Sequence, residues 1–158
     1  MDQHHEELFK NTALMINLEH LATTQTYIYM GPARRSNTQQ EANFWYVRGS
    51  DRVKELAYNT YRQFGIPVYA EMDNSGIGDM GSLFKYAPAG LNLINLGLYS
   101  HTDGETLDVV PWTGLQAVTR AFAKLIVETN KIDIKDLRPA KEDTAVSERR
   151  GDADQDPD

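Results

Sequence analysis

Apolar positions in this chain fall into two kinds of run, and the runs alternate. Residues 91–98 are mostly apolar without clean alternation, which suits a strand covered on both faces. Residues 13–18, ALMINL, form a second buried-strand candidate. Residues 24–30 and 44–47 are rich in β-branched and aromatic side chains and read as two more strands. The polar segment 31–43, opened by Gly31-Pro32, is expected to be an exposed loop between them. Residues 66–70 suggest a short further strand. Helical spacing appears twice. Val53, Leu56, Ala57, Tyr61 and Phe64 make one stripe, capped by Ser50 or Asp51 and stopped by Gly65 and Pro67. Leu115, Val118, Phe122, Leu125, Ile126 and Thr129 make the other, with Pro111 at its start and Thr113 and Gln116 at capping-box spacing. A short helix end is expected within residues 2–10, with its His4-His5 and Glu6-Glu7 facing water.

Strands and helices in alternation imply an α/β sandwich with a mixed sheet. The 158 residues are enough for one domain with a core. Residues 133–158 hold nine acids and five bases and almost no large apolar side chains. They read as a disordered acidic tail, leaving the domain at 1–132. The net charge of -7 and the absence of a basic stripe argue against a nucleic-acid groove. No apolar run is long enough to span a bilayer, so no membrane partner is expected. The polar start, MDQHHEELFK, does not read as a signal peptide. The chain has no cysteine, which excludes disulfides and thiolate metal sites and leaves the compartment open.

Candidate chemistry sits where the two buried strands stop. One ends in Glu19-His20, and the other runs into His101. The carboxyl ends of strands are where open α/β sheets carry their ligands. A carboxylate and an imidazole suit zinc, although a catalytic zinc needs three protein ligands. His101 has a second reading as a buried histidine bonding a backbone carbonyl. For His20 an ordinary structural role stays ahead of one that orients Glu19, and Asp79, Asp103 and Glu105 read as loop carboxylates near the ligands or the substrate. Trp112 and the run Phe44-Trp45-Tyr46 are assigned to the core. The acidic, glycine-rich segment 71–81 lacks the lysine of a phosphate loop.

Several segments together resemble a known family. Asn17-Leu18-Glu19-His20 is similar to the Asn-Leu-Asp segment of the co-catalytic zinc aminopeptidases, the superfamily that includes glutamate carboxypeptidase and glutaminyl cyclase. His101-Thr102, with Glu105-Thr106 and Asp108, resembles the family's His-Thr-x-x-Asp-Thr-x-Asp segment. Gly114-Leu115 with Arg120 resembles its last helix, and residues 78–84 resemble its Ser-Asp-His-x-x-Phe loop more loosely. The resemblance covers residues 10–132. It implies a three-layer α/β/α sandwich with a mixed, mostly parallel sheet. It also implies one or two zinc ions, with Glu19 and His101 as ligands, and hydrolysis of peptide substrates by metal-activated water.

The chain departs from the family pattern at several points. Glu19 stands for an aspartate, Met80 for a histidine and Glu105 for an aspartate. The family's upstream His-x-Asp, bridging aspartate and Glu-Glu base are not identifiable, so no catalytic base is assigned. The chain therefore resembles the C-terminal portion of such an enzyme, weakly active or inactive alone. Such a half-sheet exposes a strand edge, so it is expected to pair with itself or with a complementing chain. Two other functions are compatible with these residues. One is a non-catalytic interaction or assembly domain that keeps the fold. The other is a single-metal, cyclase-like acyltransferase completed by another chain.

Overall fold

Two amphipathic helices pack side by side on one face of a three-stranded sheet, and that packing sets the architecture. The computed structural model describes residues 5–28, 30, 31, 33–69, 77–81, 83 and 86–139. The elements in chain order are α1 (His5–Lys10), β1 (Met15–Glu19), β2 (Thr24–Ile28), β3 (Ala33–Gln40), β4 (Phe44–Arg48), α2 (Asp51–Phe64), β5 (Gly90–Ile94), α3 (Trp112–Thr129) and α4 (Ile134–Leu137). The main sheet has the order β1-β5-β4. β1 and β5 are parallel, with Asn17 level with Asn92, and β4 is antiparallel to β5. The chain is thus α/β with a mixed sheet. No helix among the described residues is long and apolar enough to cross a membrane.

All five residues of β5 are buried, as its apolar run predicts for a central strand. Alternation sorts them by face. Leu91 and Leu93 join Trp45 and Val47 of β4 under the helices. Ile94 lies on the other face with Tyr46, Met80, Phe44 and Met15. From the helices, Val53, Ala57 and Tyr61 of α2 and Val118, Ala121, Phe122 and Leu125 of α3 close the core. Burying a side chain of this size contributes about 1.5–3 kcal/mol. Tyr61 is the pivot, edge-on to Trp45 at 5.9 Å and tilted against Phe122 at 6.0 Å.

The helix boundaries follow the expected signals with instructive exceptions. Gly65 ends α2 in the left-handed conformation, φ 67°, and its N–H caps the carbonyls of Tyr61 and Arg62. Ser50 sits at the α2 N-cap position, but its hydroxyl donates to the Asp136 carbonyl at 2.6 Å instead of capping the helix. The Thr113–Gln116 capping box does not form. α3 begins two residues earlier than that box implies, at Trp112, with Pro111 as its cap residue. This start leaves Trp112 70% exposed in the first turn rather than in the core. The α3 stripe is rotated slightly from the expected one. Ala121 is buried at its centre, while Leu115 and Ile126 flank it, about half exposed.

Two further expectations are corrected. The polar segment between the aromatic strands is not only loop, because β3 within it pairs antiparallel with β2 in a separate two-stranded ribbon. Its sequence, ARRSNTQQ, lacks the apolar alternation that marks a half-buried strand, because the ribbon is separate from the main sheet. Packing also runs past residue 132. Ile132 and Leu137 are buried in the core, and α4 docks on the start of α2 through the Ser50 N–H to Leu137 carbonyl bond of 3.1 Å. Residues 140–158 of the expected tail lie outside the described residues, as do 71–76 of the glycine-rich segment. The strand expected at 66–70 amounts to one parallel bridge, Asn43 to Val68.

Candidate functional site at the strand ends

Because β1 and β5 are parallel neighbours, their carboxyl ends lie side by side, and the loops leaving them meet. His20 follows β1 directly. His101 lies in a chain of tight turns after β5, in which Ser100 N–H bonds the Gly97 carbonyl, Thr102 N–H the Tyr99 carbonyl and Glu105 N–H the Thr102 carbonyl. These turns fold the loop back so that the two imidazoles meet edge-on, with ring centroids 5.7 Å apart. Glu105 ties them together. One carboxylate oxygen lies 2.7 Å from His20 Nδ1, and the other accepts the His101 backbone N–H at 2.9 Å. Those contacts, the His101 N–H first and the His20 imidazole after it, hold the Glu105 carboxyl below its ordinary value.

Both histidines are in the left-handed region, His20 at φ 52° and His101 at φ 61°. Met30 is the one other non-glycine residue with positive φ among those described. A side chain in this region costs about 1–2 kcal/mol, and such residues cluster at functional sites. At His20 this conformation turns the chain sharply off β1, at His101 it falls within the turns that follow β5, and the two rings meet edge-on. Beside them is a cavity of about 250 Å³ lined by Leu18, His20, Ala22, Ser100, Glu105 and Leu115. Its lining is mostly apolar, with His20, Ser100 and Glu105 among its polar residues. The Ser100 Oγ on its wall has no hydrogen-bond partner among the described residues.

Glu19 is built from a different set of contacts. Its carboxylate accepts the Asp79 N–H at 3.2 Å and an Asn17 Nδ2 hydrogen at 3.3 Å. Asn17 also donates to Asn92 Oδ1 at 3.1 Å, and Asn92 to the Ile77 carbonyl at 2.9 Å. Gly78 makes this approach possible. It has φ 69°, and a Cβ there would lie 2.0 Å from Glu19 Oε2. The glycine-rich stretch therefore serves, at this position, to let a loop close over a carboxylate.

The expected site residues are thus partly united. His20, His101 and Glu105 form one cluster, and Glu19 and Asp79 another contact beside it. His20 does not take the alternative role of orienting Glu19. Its ring nitrogen is taken by Glu105, because the left-handed turn swings it away from the strand. Asp79 meets Glu19 through its backbone, and its side chain is exposed. Asp103 is an exposed turn carboxylate. His101 is exposed, so it is not a buried histidine bonded to a carbonyl. Asn17 and Asn92 lie level in adjacent buried strands; the sequence pointed to Asn17 only as part of the segment around Glu19, and to Asn92 not at all. Their signal was an amide inside an apolar run at matching positions of both strands.

The donor set does not by itself fit a catalytic zinc. Among the described residues no group of three or more histidine and carboxylate side chains is arranged to hold a metal ion. Glu19 is engaged by amides, and Glu105 by His20 and His101. No protein-family model, curated protein or solved structure matches the chain.

Proposed function

We propose that this chain is the C-terminal portion of a zinc exopeptidase-like domain, incomplete as a catalyst without donors from outside it. The supporting observation is convergence. Three of the four segments that resemble the family's motifs, around Glu19, Asp79 and His101, lie far apart in sequence, and the Glu19-His20 segment contacts both of the others at the carboxyl ends of β1 and β5. On this reading Glu19 and His101 are ligands, the substrates are peptides, and the three-layer sandwich is completed over the face that Ile77 and Met80 cover here. No step through a metal is derived, since the donors on this chain do not complete a site.

A second reading, a non-catalytic interaction domain of the same fold, has its own support. Glu105 already engages both histidine segments, so the cluster is satisfied without a metal. Zinc titration of the wild type beside Glu19→Ala and His101→Ala separates the two. Binding near one ion per chain, lost in both variants, supports the peptidase reading. Assays for release of free amino acids, with added complementing chains, would then follow. Weak binding indifferent to both substitutions overturns that reading and leaves the interaction domain.

A further inference from the structure

The main sheet has two edges, and they differ. Beyond β4, the segment after α2 runs along the edge. Asn43 N–H donates to the Pro67 carbonyl, Tyr69 N–H to the Asn43 carbonyl (both 2.9 Å), and Trp45 Nε1 to the Tyr69 carbonyl at 2.7 Å. Beyond β1, no strand pairs among the described residues. The ladder to β5 uses the N–H of Met15 and the carbonyl of Glu19. By alternation Ile16 and Leu18 therefore direct both backbone groups outward. The stretch Met15–Glu19 has no proline, no lysine and no bulge, and its one charge, Glu19, stands at its end. Along the helix side of this edge runs a groove of about 470 Å³ lined by Leu14, Ile16, Ile126, Ile132, Ile134 and Leu137. Ile126, Ile134 and Leu18 are each about half exposed.

We propose that β1 is a homodimer interface, in which a second copy adds its own β1 antiparallel across a two-fold axis at Asn17. Only this register pairs the outward groups of Ile16 with those of Leu18 of the second copy, and the reverse, giving four backbone hydrogen bonds. It sets apolar side chains opposite each other on the helix side, where the second copy's pair extends over the groove. It also sends the two Glu19 carboxylates to opposite ends, whereas a parallel pairing in register places them side by side. The two sheets become one of six strands. This inference stands apart from the metal reading, which concerns the strand ends and not the edge.

Sedimentation and light scattering of the full chain test it, because the expected product is a dimer. Leu18→Lys, on a half-exposed side chain, is expected to raise the dimer dissociation constant at least about tenfold while circular dichroism stays unchanged. The chain has no cysteine, so Asn17→Cys gives a second readout. Residue 17 faces its own copy in a non-hydrogen-bonded pair, about 4.5 Å between Cα atoms, within disulfide reach. Mild oxidation should link Asn17→Cys chains in pairs and leave Leu8→Cys, exposed on α1, unlinked. A chain that stays monomeric up to about 100 μM overturns the proposal. So does an oligomer that is indifferent to Leu18→Lys and is not linked through residue 17.

Discussion

The helix-covered face of the sheet and the rim at its strand ends are built on opposite terms. On the covered face nearly every side chain is apolar and buried, the backbone is regular, and each residue supports its neighbours. At the rim, two adjacent non-glycine residues of the fold take left-handed conformations, and a single exposed carboxylate joins them. The core gains free energy from burial, while the rim gives some back in backbone strain. A fold tolerates such local cost where surrounding structure fixes the geometry, and here the β1–β5 pairing does so.

Three substitutions sharpen this contrast. Leu93→Ala, in the centre of β5 and fully buried, should cost about 2–5 kcal/mol in urea unfolding, with a matching fall in Tm. A cost under about 1 kcal/mol would mean that the helix layer is not packed as described. Gly78→Ala comes next. Its Cβ would collide with the Glu19 carboxylate, and its φ of 69° is disfavoured for alanine. The expected loss is about 1–2 kcal/mol from the backbone alone, with displaced Glu19 visible as a changed Asp79 amide resonance. His101→Gly should go the other way. The side chain is exposed, its backbone N–H to Glu105 survives, and relief of the left-handed strain stabilises by up to about 1 kcal/mol. Destabilisation by His101→Gly would show that the imidazole itself holds the rim together.

The core was largely legible in the sequence and the rim only in part, for a physical reason. Periodicity reports burial against a neighbouring layer, so the stripes of α2 and α3 and the apolar run of β5 were readable. β3 was not, because the separate ribbon imposes no apolar period on ARRSNTQQ. Leu137 was hidden for the opposite reason, since one apolar residue in an acidic stretch carries no period yet fills a gap beside α2. At the rim, the strand-end rule located Glu19, His20 and His101. The partners did not follow, because a sequence does not show which way His20 turns once its backbone leaves the β region. The pairing of His20 with Glu105 rather than Glu19 rests on that one torsion.

The smallest expected effect isolates that pairing. Glu105 is held below the ordinary carboxylate value of 4.5 by the His101 N–H and the His20 imidazole, so the folded state favours its ionised form. A carboxyl lowered in this way contributes stability that is present above its unfolded value and is lost as pH falls through the folded one. Glu105→Gln removes the charge and keeps the size. The stability difference between wild type and Glu105→Gln should therefore shrink as the solution is acidified below about 4.5. His101→Gly should leave that pH dependence mostly intact, since the backbone N–H is the larger cause of the shift. If the dependence disappears in His101→Gly, the His101 imidazole and not its backbone governs Glu105, and the rim is an electrostatic cluster rather than a backbone-held turn.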